Sequence, residues 1–283
     1  MIKWSLLAVT ALALTSQAHA ATIVGVDEQN NLVTFDSANP TTNSSILAIT
    51  GVTNSIKALD FRPLNNTLYG LGTDRVVYTI NTSTGAATAV SGPLALNGTE
   101  FAFDFNPTID RLRIVSDAND NYVFDPNSGS LTTATPVFYA MGDRNAGSNP
   151  DITALAYTSS TFGAAPGSTQ LYGIDTALNT LATQANSAGT LNTVGNIGFN
   201  AGSRTSFDIA GSDAFALNGR GLYSVNLATG ALTQAGNVDR ALFGIAISAV
   251  PEPSTWGMMI FGLAGVGASL RRRGKVATRV RFA

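Results

Sequence analysis

The sequence contains no cysteine, and its only histidine, His19, lies within the first twenty residues. Those residues have the pattern of a cleavable secretory signal, so the mature chain is expected to contain neither thiol nor imidazole. This composition excludes Ser-His-Asp triads, cysteine nucleophiles, His or Cys zinc sites, haem-ligating histidines and disulfide bonds. An exported domain without disulfides depends on its hydrophobic core, and a chain of about 230 residues can bury a sufficient one.

The N-terminal segment predicts export. Lys3 is followed by an uncharged, apolar run from Trp4 to Leu14 and then by the small residues Ala18 and Ala20. This order predicts cleavage by signal peptidase after Ala20. The alternative, an uncleaved membrane anchor, requires a longer apolar run than these eleven residues.

The body of the chain is acidic. Residues 21–250 contain seventeen acidic and nine basic side chains, a formal charge of −8, and six of the remaining cations follow residue 270. A net-acidic body argues against nucleic acid as a partner. The charge is compatible with cation binding, although solubility is the more common reason for it.

A unit of four short segments recurs along the body. Its segments are rich in β-branched and aromatic residues and are separated by Gly, Asn, Asp and Pro turns, which predicts strands rather than helices. The first strands of the four copies align at Leu59, Phe103, Leu155 and Phe207, with spacings of 44, 52 and 52 residues. This spacing is typical of β-propeller blades. A two-sheet sandwich or an open meander is the alternative.

The two ends of the body complement each other. The segment Leu242 to Ile247 resembles the first strand of a blade, but the other three strands do not follow it in the sequence. Segments 23–26, 32–35 and 46–49 resemble those three strands. Joining them predicts a fifth blade that closes the ring and protects the sheet edges. The fold class is therefore predicted as all-β and β-propeller-like, with about five four-stranded blades.

Acidic residues recur at one position of the repeat. Asp60, Asp104 and Asp208 directly follow the aligned first-strand residues, and this recurrence indicates a structural task. A pair such as Asp104 and Asp110 could serve glycoside hydrolysis, but a catalytic pair needs two distinct environments at a fixed separation. We therefore predict no catalytic residues.

The segment Asp117 to Asn121 resembles the opening of a calcium loop, because oxygen-bearing side chains alternate along it. The rest of that motif is absent, since Tyr122 and Ser128 stand where glycine and a bidentate glutamate are required. A hairpin turn explains the same residues, because Asn and Asp tolerate left-handed backbone angles. We expect no metal site here and no cofactor elsewhere.

A candidate ligand loop lies between residues 141 and 151, the longest polar linker within the repeats. Loops on one face of a propeller commonly carry binding sites. Carboxylate and guanidinium groups from this loop and the preceding blade could bind a sugar or another anion, although ion pairing between blades uses the same residue types. The candidate residues are Arg111, Arg113, Asp143, Arg144, Asn145 and Asp151.

The C-terminal segment has three parts: Pro251, Glu252 and Pro253, then an uncharged stretch over residues 255–270, then Arg271, Arg272 and Arg273. A helix over the uncharged stretch would span about 24 Å, slightly less than the hydrocarbon core of a bilayer. The arginines are expected to remain cytoplasmic. A helix buried in the globular domain would not explain the triple arginine.

Two resemblances follow from these motifs. Residues 68–71, 103–107, 110–116 and 142–147 resemble an uncharacterised bacterial domain family with propeller-like repeats, which implies a fold but no activity. The C-terminal segment resembles the PEP-CTERM sorting signal of Gram-negative bacteria. That resemblance implies recognition of the tail by an exosortase in the inner membrane, cleavage near Pro-Glu-Pro, and release to the cell surface or extracellular matrix.

The predicted organisation is a signal peptide at 1–20, a propeller-like domain at 21–249, a sorting signal with a transmembrane helix at 250–273, and a basic cytoplasmic tail at 274–283. The predicted function is that of an exported surface or matrix protein with a non-enzymatic binding or structural domain. The alternative is a carboxylate-dependent glycan hydrolase or lyase. Expected partners are signal peptidase, exosortase, the inner membrane before processing and, as a candidate, extracellular polysaccharide.

Overall fold

The structure is a computed structural model that describes residues 21–248. The predicted signal peptide with its cleavage site at Ala18 and Ala20, the sorting signal with its transmembrane helix, and the basic tail lie outside these residues. Apart from one turn of 3-10 helix at Asn186–Ala188, residues 21–248 form strands and turns. Within this part of the chain no helix is long and apolar enough to span a membrane.

Five sheets form the blades of a propeller, as the repeat predicts. Blade 1 contains β1 (Thr22–Asp27), β2 (Asn31–Asp36), β3 (Asn39–Ala48) and β21 (Leu242–Ile247). Blade 2 contains β4 (Ile56–Arg62), β5 (Thr67–Gly72), β6 (Val77–Ile80) and β7 (Ala87–Ala89). Blade 3 contains β8 (Phe101–Asn106), β9 (Arg111–Ser116), β10 (Asn121–Phe124) and β11 (Leu131–Thr133).

Blade 4 contains β13 (Ile152–Tyr157), β14 (Leu171–Asp175), β15 (Thr180–Gln184) and β16 (Thr190–Asn196). It also carries a fifth strand that the repeat did not predict, β12 (Phe138–Tyr139), which pairs in parallel with the outer strand β16. Blade 5 contains β17 (Ser206–Ala210), β18 (Asp213–Asn218), β19 (Gly221–Val225) and β20 (Leu232–Asn237). All other pairings within the blades are antiparallel, as in successive hairpins.

The ring closes through the two ends of the described chain. Strand β21 pairs with β1 in the register Ile23 to Ile247, and the amide of Ser248 donates to the carbonyl oxygen of Thr22 over 2.9 Å. The C-terminal strand thus supplies the inner strand of blade 1, while the N-terminal strands supply its outer three. The predicted fifth blade and its closure are confirmed.

One turn recurs between the third and fourth strands of the blades. The amide of Gly85 donates to the carbonyl oxygen of Asn81 over 2.8 Å, and Gly129 and Gly230 make the same bond to Asp125 and Asn226. Each of these glycines has a φ between 72° and 79°. The turn requires this left-handed conformation, and glycine adopts it without a Cβ clash. The Thr-Gly and Ser-Gly pairs of the repeat are therefore turn signals.

The core consists of five hydrophobic layers, one between each pair of neighbouring blades. The inner strands β21, β4, β8, β13 and β17 contact one another in that order around the central channel, and β17 contacts β21 again. Within blade 4, for example, Leu155 and Tyr157 pack toward blade 3, while Ala154 and Ala156 pack toward blade 5. This alternation is the period-two pattern of a strand that is buried on both faces.

Candidate functional site

Three carboxylates meet in the central channel. Asp60, Asp104 and Asp208 lie on the inner strands of blades 2, 3 and 5, and each is at most 5% exposed. Their nearest oxygens all lie within 4.8 Å of one another. Blades 4 and 1 have alanine at the equivalent positions, Ala156 and Ala246, so the cluster comprises three acids rather than five.

These carboxylates join neighbouring blades. Asp60 accepts a hydrogen bond over 2.6 Å from the amide of Phe105 in the next blade, and Asp104 accepts one over 3.0 Å from Tyr157. Asp208 accepts one from the amide of Ile247, which ties blade 5 to the closing strand. The structural task that the recurrence predicts is therefore a bond between adjacent inner strands.

The alanine positions are compensated within the same ring. Ala156 and Ala246 have no side-chain oxygen that could accept a hydrogen bond from the amides of Ile209 and Phe61 in the next blade. Asp208 instead accepts the amide of Ile209 over 2.6 Å. The amide of Phe61 likewise bonds to Asp60. Three carboxylates therefore satisfy five inner-strand amides, which would be costly to leave unpaired in the interior.

The cluster is electrostatically unfavourable in its ionised form. Burial, together with the charges of neighbouring Asp residues, raises the pKa of Asp60 and of Asp104 well above the ordinary value. Burial also raises the pKa of Asp208, to about 6, against the opposing effect of the amides of Ile247 and Ile209. The three groups can all be ionised only if a bound cation offsets their charge; otherwise protons neutralise part of it.

A pocket opens at one end of the channel. The first halves of all five inner strands line it, so these strands begin at the same end of the ring, which we call the mouth. The residues that directly precede the clustered aspartates, Leu59, Phe103 and Phe207, belong to its lining. The mouth pocket therefore lies immediately above the carboxylates.

Two cations and an aromatic ring from three blades converge in the mouth pocket. The Nζ atom of Lys57 lies 3.2 Å from the centroid of the Phe243 ring, and the guanidinium carbon of Arg204 lies 4.7 Å from it. Both distances are within cation-π range. Arg204 also pairs with Glu28, and burial lowers the pKa of Lys57.

A second pocket adjoins the mouth between blades 2 and 3. It shares Lys57 and Glu100 with the mouth pocket and adds Arg75. Partial burial raises the pKa of Glu100, because the ionised carboxylate is less stable there than in water. Three of the nine cations of an acidic body thus surround the mouth.

The structure does not bring the candidate ligand residues together. Arg111 lies opposite Asn106, at the end of β8 away from the mouth, and pairs with Asp125 over 3.0 Å. Arg113 is 2% exposed, and its guanidinium donates to Asn121 and to Tyr157 of the next blade. Both arginines are engaged within the protein, in the structural pairing that the sequence left as the alternative.

The loop residues lie before β13, on the mouth side of blade 4. Asp143 accepts hydrogen bonds from the amide and hydroxyl of Thr193, and Asn145 donates to the same hydroxyl. Asp151 accepts a bond from Thr176 over 2.9 Å. Only Arg144 among these residues has an exposed side chain without a hydrogen bond or ion pair in the described part of the chain. The loop is therefore fastened to its own blade.

The segment Asp117 to Asn121 comprises the hairpin connection between β9 and β10 and the first residue of β10. Asn119 has a φ of 67°, the left-handed angle that the turn interpretation requires. The carboxylate of Asp117 accepts bonds from the amide and hydroxyl of Thr99, and Asn121 is buried between blades. Protein donors thus occupy the Asp117 oxygens, whereas Oδ1 of Asn119 is buried without a hydrogen-bond partner in the described part of the chain. That no metal binds here stays a prediction.

Asp104 and Asp110 do not form a pair. Asp104 belongs to the central cluster, whereas Asp110 lies in the turn after β8 and accepts hydrogen bonds from Arg62 of blade 2. Arg62 is 6% exposed and also donates to Asn127, so it crosslinks blades 2 and 3. The structure thus gives these two carboxylates separate tasks.

No sequence motif predicts the mouth pocket. Lys57, Arg204 and Phe243 are separated by about 40 to 190 residues and belong to no shared motif. A signal nonetheless exists in the repeat alignment, because each of them lies three or four residues before the aligned inner-strand position that Asp60, Asp208 and Ala246 occupy. Equivalent positions of different blades meet at the axis of a propeller.

Comparison with known proteins supports the fold and the sorting signal. A family model described as "Domain of unknown function (DUF4394)" matches residues 31–246. The model of the PEP-CTERM protein-sorting motif matches residues 249–273. No curated protein matches the chain.

A solved structure of a structural genomics protein of unknown function from Bacteroides thetaiotaomicron VPI-5482 is similar in fold, with a TM-score of 0.51 and 15% sequence identity. The alignment covers 81% of this chain and 61% of that protein, so the chain spans about three fifths of its length. At this identity the likeness shows the fold alone. Both predicted resemblances are confirmed: the chain belongs to the DUF4394 family of unknown function, and it ends in a PEP-CTERM motif, which implies an exported, cell-surface-targeted protein that an exosortase processes.

Proposed function

We propose that this protein is a non-enzymatic surface protein whose propeller binds an acidic polysaccharide at the mouth of its channel. The observation that carries the proposal is the convergence of Lys57 and Arg204 on the ring of Phe243. Five blades contribute to this pocket, so its shape is set by the rigid inner strands. Binding groups that are held by rigid elements bind with less loss of conformational freedom.

The chemistry of the pocket suits a carboxylated sugar. A uronate offers a carboxylate to ammonium and guanidinium donors and an apolar ring face to an aromatic side chain. Lys57 is partly withdrawn from water, which strengthens its interaction with an anion. Arg75 extends the positive charge along the adjoining pocket, so a chain of several uronate units fits better than a single sugar.

The arrangement of carboxylates favours binding over catalysis. Glycoside hydrolysis needs an acid and a base or nucleophile on either side of the scissile bond. Asp60, Asp104 and Asp208 are buried below the pocket and bonded to backbone amides, and Asp110 is paired with Arg62. Glu100 is the carboxylate of the pocket itself, and it has no matched partner in the lining.

The test is binding of polygalacturonate and of uncharged dextran to the purified full-length protein, with product release measured in the same samples. We expect salt-sensitive binding of the polyuronate alone and no release of oligosaccharides. Lys57→Gln and Arg204→Gln should each weaken binding about tenfold, which corresponds to about 1.4 kcal/mol. Arg144→Gln, an exposed cation of the candidate ligand loop, is the matched control and should bind normally.

Two outcomes would contradict the proposal. Loss of binding in Arg144→Gln with normal binding in both mouth variants would place the site in the loop instead. Release of oligosaccharides by the parent protein would favour the alternative function, a glycan hydrolase or lyase.

The proposal also includes the individual steps by which the protein reaches the cell surface. We propose that signal peptidase cleaves after Ala20, that the segment 255–270 holds the protein in the inner membrane, and that an exosortase then cleaves near Pro251 to Pro253. The match of the sorting motif over residues 249–273 supports the last step. The surface or extracellular matrix is the proposed destination.

A further inference from the structure

We propose that the three channel carboxylates form a calcium site, which the unpartnered hydroxyl group of Ser206 completes. The inference does not depend on the proposed polysaccharide binding. It is carried by the geometry of the carboxylate cluster and by a buried hydroxyl group, on the same strand face as Asp208, that has no hydrogen-bond partner within residues 21–248.

The separation of the carboxylates fits a calcium ion. Calcium binds oxygen at about 2.3 to 2.6 Å, so oxygens on one ion lie at most about 5 Å apart. The nearest oxygens of Asp60, Asp104 and Asp208 lie within 4.8 Å of one another. Magnesium demands near-ideal octahedral geometry and gives up its water ligands reluctantly, so a site built from protein oxygens favours calcium. The cluster therefore accommodates calcium without rearrangement of the inner strands.

The cluster retains free acceptor capacity. Each carboxylate oxygen can accept two hydrogen bonds or ligand contacts, which gives the three groups about twelve acceptor positions. Five inner-strand amides use five of these positions. Within residues 21–248, Asp104 accepts one hydrogen bond, from the amide of Tyr157 to Oδ1. Metal binding thus leaves the bonds between blades in place.

The second observation is independent of the acids. Ser206 is 9% exposed, and within residues 21–248 its hydroxyl oxygen has no hydrogen-bond partner. It lines the mouth pocket directly above the cluster. Ser206 precedes Asp208 by two positions in β17 and therefore lies on the same face of the strand. Buried polar groups without a partner are rare and point to a bound ion or water.

The charge balance favours a divalent ion. No lysine or arginine contacts Asp60, Asp104 or Asp208 in the described structure. Burial and mutual repulsion therefore oppose ionisation of all three groups unless a cation is bound. Calcium binding displaces protons from the cluster, so its affinity should increase with pH.

The test is calorimetric titration of the full-length protein with calcium and, separately, with magnesium at pH 8, together with thermal melting in calcium and in chelator. We expect one calcium ion per chain, weaker binding of magnesium, and a melting temperature several degrees higher in calcium. Asp104→Asn should weaken calcium binding at least tenfold, while its amide oxygen can still accept the hydrogen bond from Tyr157. Ser206→Ala should weaken binding severalfold.

Asp117→Asn is the matched control, because it removes an acid from the hairpin outside the channel. It should bind calcium like the parent. A purely structural role for the aspartates predicts a different result: Asp104→Asn would then lower the melting temperature equally in calcium and in chelator. The proposal is overturned if the parent binds no calcium, or if Asp104→Asn and Ser206→Ala both bind it as tightly as the parent.

Discussion

Removal of the closing strand should abolish the stability of the ring. A chain that ends at Asp239 lacks β21 and with it the side chains of Leu242, Ile245 and Ile247, each at most 2% exposed. Burial of a large aliphatic side chain contributes about 1.5 to 3 kcal/mol, so the three together account for about 5 to 9 kcal/mol. This is comparable to the entire free energy of unfolding of a typical domain, about 5 to 15 kcal/mol.

The truncation also removes bonds that the remaining chain cannot replace. Strand β1 loses its partner on the channel side, and Asp208 loses the amide of Ile247. We expect insoluble protein or a melting temperature at least about 10 °C lower, at about 2 °C per kcal/mol for a chain of this size. The control is a chain that ends at Ser248, which keeps β21. The measurement is thermal melting by circular dichroism, and equal melting of the two truncated chains would refute the role of closure.

Three further predictions concern the channel, the hairpin and the tail. In chelator the melting temperature should fall as the pH rises from about 4 to about 7, because the pKa of Asp208 is about 6 in the folded protein against 3.8 in the unfolded chain. Asp104→Asn should make the melting temperature depend less on pH, because it removes one of the carboxylates that repel one another. An unchanged dependence would show that the channel carboxylates do not affect one another's ionisation. Asp117→Asn should leave the calcium-dependent change in melting temperature equal to that of the parent, since no tight calcium site is predicted at the hairpin. A smaller change in this variant would show that the hairpin binds calcium. Substitution of residues 251–253 by alanine should leave uncleaved protein in the inner membrane, and substitution of residues 271–273 by glutamine should impair retention and processing. Immunoblots of fractionated cells that contain an exosortase test both, and normal maturation of both variants would show that the tail is an ordinary anchor.

The fold was predictable from the sequence because local and long-range signals coincide. The alternation around Leu59, Phe103, Leu155 and Phe207 repeats at blade spacing, and the unmatched strand at 242–247 complements the N-terminal strands. Residues 137–140 have a strand-like sequence, but the parallel pairing of β12 with β16 was not predictable, since a repeat of antiparallel hairpins offers no partner for a strand between two copies.

The candidate site was less predictable than the fold. Its composition depends on which residues of different blades lie at the same height along the channel. The recurrence of Asp60, Asp104 and Asp208 indicated a structural task but not that their side chains would meet at the axis. Arg113 shows the same dependence: its sequence context is compatible both with a ligand pocket and with pairing between blades, and in the structure its guanidinium is buried and donates to Tyr157. Burial of this kind follows from the packing of neighbouring blades, which a single strand pattern does not specify.

The direction of the closing strand determines how the propeller is presented. Strand β21 begins at the mouth with Leu242 and ends with Ile247, about 17 Å farther along the channel. Ser248, and with it the attachment point of everything that follows, therefore lies at the end of the ring opposite the mouth. For a protein held through the residues that follow Ser248, the attachment point and the proposed binding pocket therefore lie at opposite ends of the ring.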